Sequence, residues 1–155
     1  MIKTDFNTKA EKINLKPFVK WVGGKAKMLK NPIFKEIIQQ FDSDKMRYIE
    51  PFVGGGAVFL YLQPKTAVIS DINYELMTVY HILKDKKRIQ KLTELIDRYY
   101  YQENDRFDYD FYYNEREREV FDSEYEIAAR FLYLNKACFN GIYRVNQRGK
   151  FNVPQ

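Results

Sequence analysis

Two groups of residues in this chain have types and spacing suited to chemistry. The first is Gly54-Gly55-Gly56, followed 17 residues beyond Gly54 by Asp71. Glycines between a strand and a helix let a ligand approach the main chain with no Cβ in the way, at the positive end of the helix. A carboxylate ending the next strand can accept hydrogen bonds from both hydroxyls of a ribose. Phe59 stands where the full dinucleotide fingerprint needs a glycine, so a methionine-carrying nucleoside fits better than a pyrophosphate dinucleotide. The second group lies near the C-terminus. Arg144, Arg148 and Lys150 can neutralise phosphates, and an arginine can read guanine. Asn146 and Asn152 can pair with adenine edges, and Tyr143 and Val145 are wedges of a kind that enters a base stack. The same residues also compose a basic hairpin whose asparagines and Gly149 only shape turns, and residue types leave both readings open.

These groups need elements to hold them. Asn31 caps and Pro32 opens a first helix with Phe34, Ile37, Ile38 and Phe41 at helical spacing. Met46 to Pro51 reads as a strand feeding the glycine turn, and Ala57 to Leu62 as the helix after it. Ala67-Val68-Ile69 is a buried-strand pattern ending at Asp71. Asn73 caps a helix with Leu76, Val79, Tyr80 and Leu83 on one face, and Lys86 to Tyr101 continues helically. Tyr99 to Phe121 is dense in aromatics and acids, including Tyr101 and Phe107, and reads as an inserted helical subdomain with an aromatic core. Ser123 and Glu126 form a capping box for a helix running to about Lys136, with Tyr125, Ala128, Ala129 and Leu132 on one face. Asn140-Gly141 marks a turn, and Ile142 to Val153 an extended hairpin bending at Gly149. The fold class expected is α/β: a partial Rossmann-like sheet with a helical insertion and a C-terminal β-hairpin.

Composition narrows the setting. The 155 residues suffice for one domain with a core. One cysteine, Cys138, excludes a disulfide framework. Met1 to Asn14 has no hydrophobic stretch of the signal-peptide kind, and no apolar run is long enough for a membrane helix, so a cytoplasmic location is expected. The net charge of +5 is uneven: +7 over residues 1–101, −7 over 102–126 and +5, with no acid, over 127–155. A basic tail of this kind suits a polyanion, or is simply a solvated surface. Gly23-Gly24-Lys25 is not a phosphate loop, because Val19 and Ala26 occupy the positions where that loop needs Gly and Ser or Thr. His81 has no partner ligand, Cys138 no base, and Glu115, Glu117 and Glu119 alternate with Arg116 and Arg118 as on a solvated helix face.

Four blocks occur in order: Pro17-Phe18-Val19-Lys20-Trp21-Val22-Gly23-Gly24-Lys25, Glu50-Pro51-Phe52-Val53-Gly54-Gly55-Gly56-Ala57, Ser70-Asp71-Ile72-Asn73, and Leu134-Asn135-Lys136 through Phe139-Asn140-Gly141 and Arg144 to Phe151-Asn152-Val153-Pro154. Together they resemble the Dam-type family of DNA adenine-N6 methyltransferases over most of the chain, except the stretch from about Lys86 to Ser123. The resemblance implies methyl transfer from S-adenosylmethionine to an adenine flipped out of double-stranded DNA, commonly within GATC. It implies a cofactor site of Trp21, Lys25, Glu50, Phe52, Gly54, Gly55, Gly56 and Asp71. Trp21 would wall the adenine or the sulfonium, and Lys25 would neutralise the methionine carboxylate. A packed Trp21 and a surface Lys25 are the plainer reading of the same two residues. The resemblance adds Asn135 and Lys136 to the DNA-facing set of Tyr143, Arg144, Val145, Asn146, Arg148, Lys150 and Asn152. It divides the chain into a cofactor-binding portion, 1–98, and an insertion with target-recognition hairpin, 99–155, within one compact unit.

The family's reaction centre is an Asp-Pro-Pro-Tyr motif further along. The prolines here are Pro17, Pro32, Pro51, Pro64 and Pro154, and no two adjoin. Catalytic residues are therefore expected to be absent, and the chain is expected to be a truncated part of such an enzyme, inactive alone. The alternative is a non-catalytic module for S-adenosylmethionine or DNA, or one subunit of a split enzyme whose second chain carries the motif. No metal-ligand cluster or nucleophilic triad offers another chemistry, and Phe59 disfavours a nicotinamide oxidoreductase.

Overall fold

A computed structural model describes residues 2–3, 13–100 and 108–155. Tyr101 and Phe107, part of the expected aromatic core, lie outside the described residues, as does most of Met1 to Asn14. The fold is mixed α/β and divides into two units.

The first unit comprises residues 1–18 and 23–72. Its elements are β1 (Ile2–Lys3), α1 (Pro32–Gln39), β2 (Tyr48–Glu50), α2 (Ala57–Leu62) and β3 (Thr66–Ile69). Asn31 caps α1 by accepting from the amides of Ile33 and Phe34 at 2.9 and 3.3 Å, and Pro32 fills the first helical position. β2 and β3 pair in parallel, Tyr48 opposite Ala67, Ile49 opposite Val68 and Glu50 opposite Ile69. β1 adds to β3 from the other side, antiparallel. The connection from β2 to β3 is the glycine turn and α2, the crossover that parallel pairing requires. Ile38, Val58 and Leu62 form the core, closed by Leu29, Phe34, Phe41 and Tyr48.

The expectation that Ala67-Val68-Ile69 is buried on both sides meets a difference. Ala67 and Ile69 are buried, but Val68 and its partner Ile49 are exposed, because the pleat sends alternate residues to the opposite face.

The second unit comprises residues 19–22 and 73–155. It is built on α3 (Tyr74–Ile82), α4 (Lys86–Tyr100), α5 (Tyr109–Glu117) and α6 (Glu124–Ala137). Asn73 caps α3 through the Leu76 amide at 2.8 Å, and Asp108 caps α5 through Phe111 at 2.9 Å. Ser123 accepts from the Glu126 amide at 3.4 Å, while the Glu126 carboxylate returns to the amide of Asp122. This half of the capping box is shifted by one residue because the same carboxylate pairs with Arg118.

α6 is buried far more widely than its expected face. Ala128, Ala129, Arg130, Phe131, Tyr133, Leu134 and Asn135 are buried, while Tyr125 and Leu132 of the expected face are only half-buried. A helix buried over most of its length is the centre of its unit. On α3, Leu83 is exposed and Ile82 takes the buried place. Tyr99 and Phe111 of the expected aromatic stretch pack with Tyr133 of α6, the three rings 5.4 to 5.6 Å apart and mostly edge to face. The Glu115 carboxylate accepts from the Tyr99 hydroxyl at 3.1 Å, so the alternating acids and arginines are not simply a solvated face. The C-terminal hairpin narrows to one antiparallel bridge, Val145 with Phe151, closed by Asn146 N to Lys150 O at 2.9 Å and bent at Gly149 with φ 75°.

Candidate functional site

In the first unit β2, the glycine turn and the end of β3 bring Lys25, Glu50, Phe52, Gly54 and Asp71 into one cluster. The turn is a genuine left-handed bend: φ is 51° at Gly54 and 73° at Gly56, conformations that a side chain would strain. The amide of Gly54 donates to Asp71 Oδ2 at 2.9 Å, across 17 positions of sequence. Val53 N donates to Ser70 O at 2.9 Å and Ser70 N to Glu50 O at 3.0 Å, so the two strand ends are laced together just below the turn. Gly54, Gly55 and Gly56 are buried, Asp71 is partly exposed, and Phe52 stands out with three quarters of its surface open, at 75 %.

Glu50 is a buried carboxylate at 6 % exposure. Its Oε2 accepts from the Tyr48 hydroxyl at 2.7 Å, and its Oε1 lies 3.1 Å from Lys25 Nζ. The same Nζ donates to Phe52 O at 2.5 Å. Lys25 is thus partly covered and turned onto the glycine-loop strand, in place of the plain surface lysine. A buried charge needs such pairing, since desolvation otherwise costs several kcal/mol, about the effective penalty per ion. Burial and the Glu50 carboxylate together push the Tyr48 phenol far above its ordinary value, so its proton stays available to Glu50. Sequence reasoning missed Tyr48. Its signal was present: residues two apart on a strand share a face, and Tyr48 and Glu50 are two apart.

Trp21 falls in the second unit. Its ring stacks on Tyr143 with centroids 5.3 Å apart and planes at 17°, and Phe131 packs against both. Two residues assigned to different ligands from sequence therefore touch each other. Tyr143 is half-buried and its hydroxyl donates to Glu75 at 3.2 Å, so it is not a free wedge.

Asn135 is turned inward. It is buried, with Oδ1 accepting from Lys20 N at 3.0 Å and Nδ2 donating to Lys20 O at 2.9 Å. The resemblance counts Asn135 in the DNA-facing set; in the structure it is buried, and the main chain of Lys20 satisfies its amide as a buried amide requires. Lys136, one residue on, is exposed. On the hairpin, Arg144, Val145, Asn146, Arg148 and Lys150 are exposed. Arg144 Nε donates to Asn152 Oδ1 at 2.9 Å, Lys150 pairs with Glu119, and Asn146 Oδ1 accepts from the amides of Arg148 and Lys150 at 2.9 and 3.1 Å. Asn146 and Asn152 shape the arm, then, while the arginines edge it. Cys138 is buried and its thiol is pushed up by desolvation, the behaviour of a packing residue. Among the described residues no cluster suited to a metal ion occurs, and no helix is long and apolar enough to cross a membrane.

The model of the D12 class of N6 adenine-specific DNA methyltransferases matches residues 21–155. The chain belongs to that family. It is 39 % identical over 155 residues to the type II methyltransferase M.MjaIII of Methanocaldococcus jannaschii, covering 92 % of this chain and 52 % of that one. It is 40 % identical to the type II methyltransferase M1.LlaDCHI of Lactococcus lactis subsp. cremoris, covering 92 % and 48 %. A DNA adenine methylase of Haemophilus influenzae is 35 % identical, covering 92 % and 48 %. The chain spans about half the length of these curated relatives. Within the D12 family match fall both the glycine cluster and the basic arm, and the match begins at Trp21.

Proposed function

We propose that this D12-family chain grips S-adenosylmethionine and contacts double-stranded DNA for methylation of adenine N6, with GATC as the target. The observation that carries the reading is the Gly54–Asp71 hydrogen bond, which sets a carboxylate beside a side-chain-free bend. The residues fit the cofactor. Asp71 would accept from the ribose hydroxyls, the buried Gly54–Gly56 main chain would let the ligand approach, and exposed Phe52 would cover an apolar part of it. Glu50, whose Oε1 makes no hydrogen bond among the described residues and lies 3.1 Å from Lys25 Nζ, together with Lys25 offers charges of both signs to an amino-acid moiety. When bound, S-adenosylmethionine supplies an electrophilic methyl group on a sulfonium. The chain's own part is positioning and electrostatics.

On the DNA side, Lys136, Arg144, Arg148 and Lys150 would meet phosphates and Val145 would support the gap left by a flipped base. We further propose that β2, α2 and β3 are the first parallel unit of a Rossmann-like sheet. The groups that activate the adenine amine are not among these 155 residues, which hold no two adjacent prolines. The family's acceptor groups then come from elsewhere, in the same polypeptide or a second chain, and the isolated chain does not methylate DNA. The test is calorimetric titration of S-adenosylmethionine into the chain, with and without Asp71→Ala, beside labelled-methyl incorporation into GATC duplex. Binding heat that needs Asp71, with no incorporation, is the expected pair of results. Equal heats in both proteins would remove the assigned pocket, and robust incorporation would overturn the inactivity.

A further inference from the structure

We infer that Glu75 is a positioning residue for the basic arm: its carboxylate holds Tyr143, Tyr143 holds Trp21, and Arg144 and Val145 emerge from that fixed root. In its functional half the inference rests on the arm being DNA-facing.

Glu75 lies in the first turn of α3, where the helix dipole favours an anion. Its Oε1 accepts from Arg130 at 2.7 Å and its Oε2 from the Tyr143 hydroxyl at 3.2 Å. Arg130 is buried and cannot swing away. Its Nε donates to Glu115 O at 2.5 Å, one Nη to Arg116 O at 2.8 Å, and its guanidinium lies over the Phe121 ring at 5.5 Å. Glu75 is therefore itself held, and presents its second oxygen to Tyr143 in a fixed direction. Tyr143 stacks on Trp21 at 5.3 Å and also meets Phe151 at 5.5 Å, and Phe151 bridges Val145.

The root of the arm thus joins a hydroxyl and a carboxylate 68 positions apart in sequence, with the Trp21 ring stacked on the same tyrosine. Burial, then the Glu75 charge, pushes the Tyr143 phenol up to about 12, which keeps its proton in place as the donor at neutral pH. A buried ion pair adds little net stability over a well-packed apolar pair, so the network's value lies in fixing position.

Trp21 is the sole tryptophan, so acrylamide quenching of its emission reads the stack with no DNA present. The variants, in the full chain, are Tyr143→Phe, Glu75→Ala and Glu75→Gln, with Tyr99→Phe as control. Tyr99 also donates to a glutamate in this unit, but its ring packs on Phe111 and Tyr133. Tyr143→Phe leaves the Glu75–Arg130 pair intact, so it reports even if Glu75→Ala fails to fold. Tyr143→Phe and Glu75→Ala are expected to lose protection of Trp21 and to bind a fluorescein-labelled GATC duplex about tenfold more weakly, the loss of one hydrogen bond to a charged group. Glu75→Gln keeps an acceptor and recovers much of both. Unchanged quenching in Tyr143→Phe, or an equal change in Tyr99→Phe, would overturn the positioning role. An unaltered chain that binds no duplex would defeat the DNA-facing reading instead, and the quenching comparison would still decide whether Glu75 sets the stack.

Discussion

The side-chain amide of Asn135 clasps the main chain of Lys20 from both sides, accepting from its N–H at 3.0 Å and donating to its carbonyl at 2.9 Å across 115 positions of sequence. This clasp ties the short segment 19–22, which carries Trp21, to the central helix of the second unit. Asn135→Ala leaves two main-chain groups without partners and is expected to cost about 2–3 kcal/mol of stability, measured by urea unfolding. Asn135→Asp keeps the acceptor but sets a buried carboxylate oxygen against the carbonyls of Lys20 and Gly141, and should cost at least as much as Asn135→Ala.

The same clasp makes one glycine irreplaceable and leaves another tolerant. Gly141 has φ 64°, and a Cβ there would meet Lys20 Cδ at 2.1 Å and Lys20 Cβ at 2.9 Å. Gly149 has φ 75° with nothing within 4 Å. Gly149→Ala should therefore cost about 1–2 kcal/mol, the left-handed penalty alone. Gly141→Ala should cost clearly more, because the Lys20 segment must also shift. Equal melting temperatures for the two variants would contradict this geometry.

Stability should depend on pH through Glu75. Burial raises its carboxyl above the ordinary value, against the smaller opposing pull of Arg130 and Tyr143. The folded state then holds a proton more tightly than the unfolded chain. The stability from that proton is complete below the ordinary carboxylate pKa and is lost as pH rises through the folded one. Melting temperature should accordingly decline across the window just above the ordinary value. Glu75→Gln, which cannot ionise, should flatten that decline.

Phosphate contact by the arm should appear as salt dependence. Arg148→Ala should lower the slope of log affinity against log salt by about 1, alike on any duplex sequence. Arg144→Ala should do more than this, because Arg144 also braces Asn152. Anisotropy titrations over a salt series measure both.

Ile49 and Val68 form an exposed apolar cross-strand pair. Apolar surface of this kind drives self-association. Replacing Ile49 and Val68 with Thr should raise the solubility of the chain at little cost in melting temperature, read by light scattering and calorimetry.

Local signals in the sequence determined much of this protein. Asn31, Asn73 and Ser123 cap helices where their spacing says they must, since a cap is decided within one turn of chain. The glycine triplet and Asp71 read as one site because strand, turn and strand fix their separation, and the hydrogen bond from Gly54 follows. Four ordered blocks also gave the family. The tertiary structure alone decided which side chains those blocks present to solvent. Asn135 lies in a basic, ligand-like stretch, yet α6 is the buried centre of its unit and turns it onto Lys20. Trp21 and Tyr143 stand 122 positions apart by number and stack. Glu75 and Arg130 carry no local signature of a network, because a buried charge is stabilised by partners brought from distant elements, and packing rather than periodicity selects them.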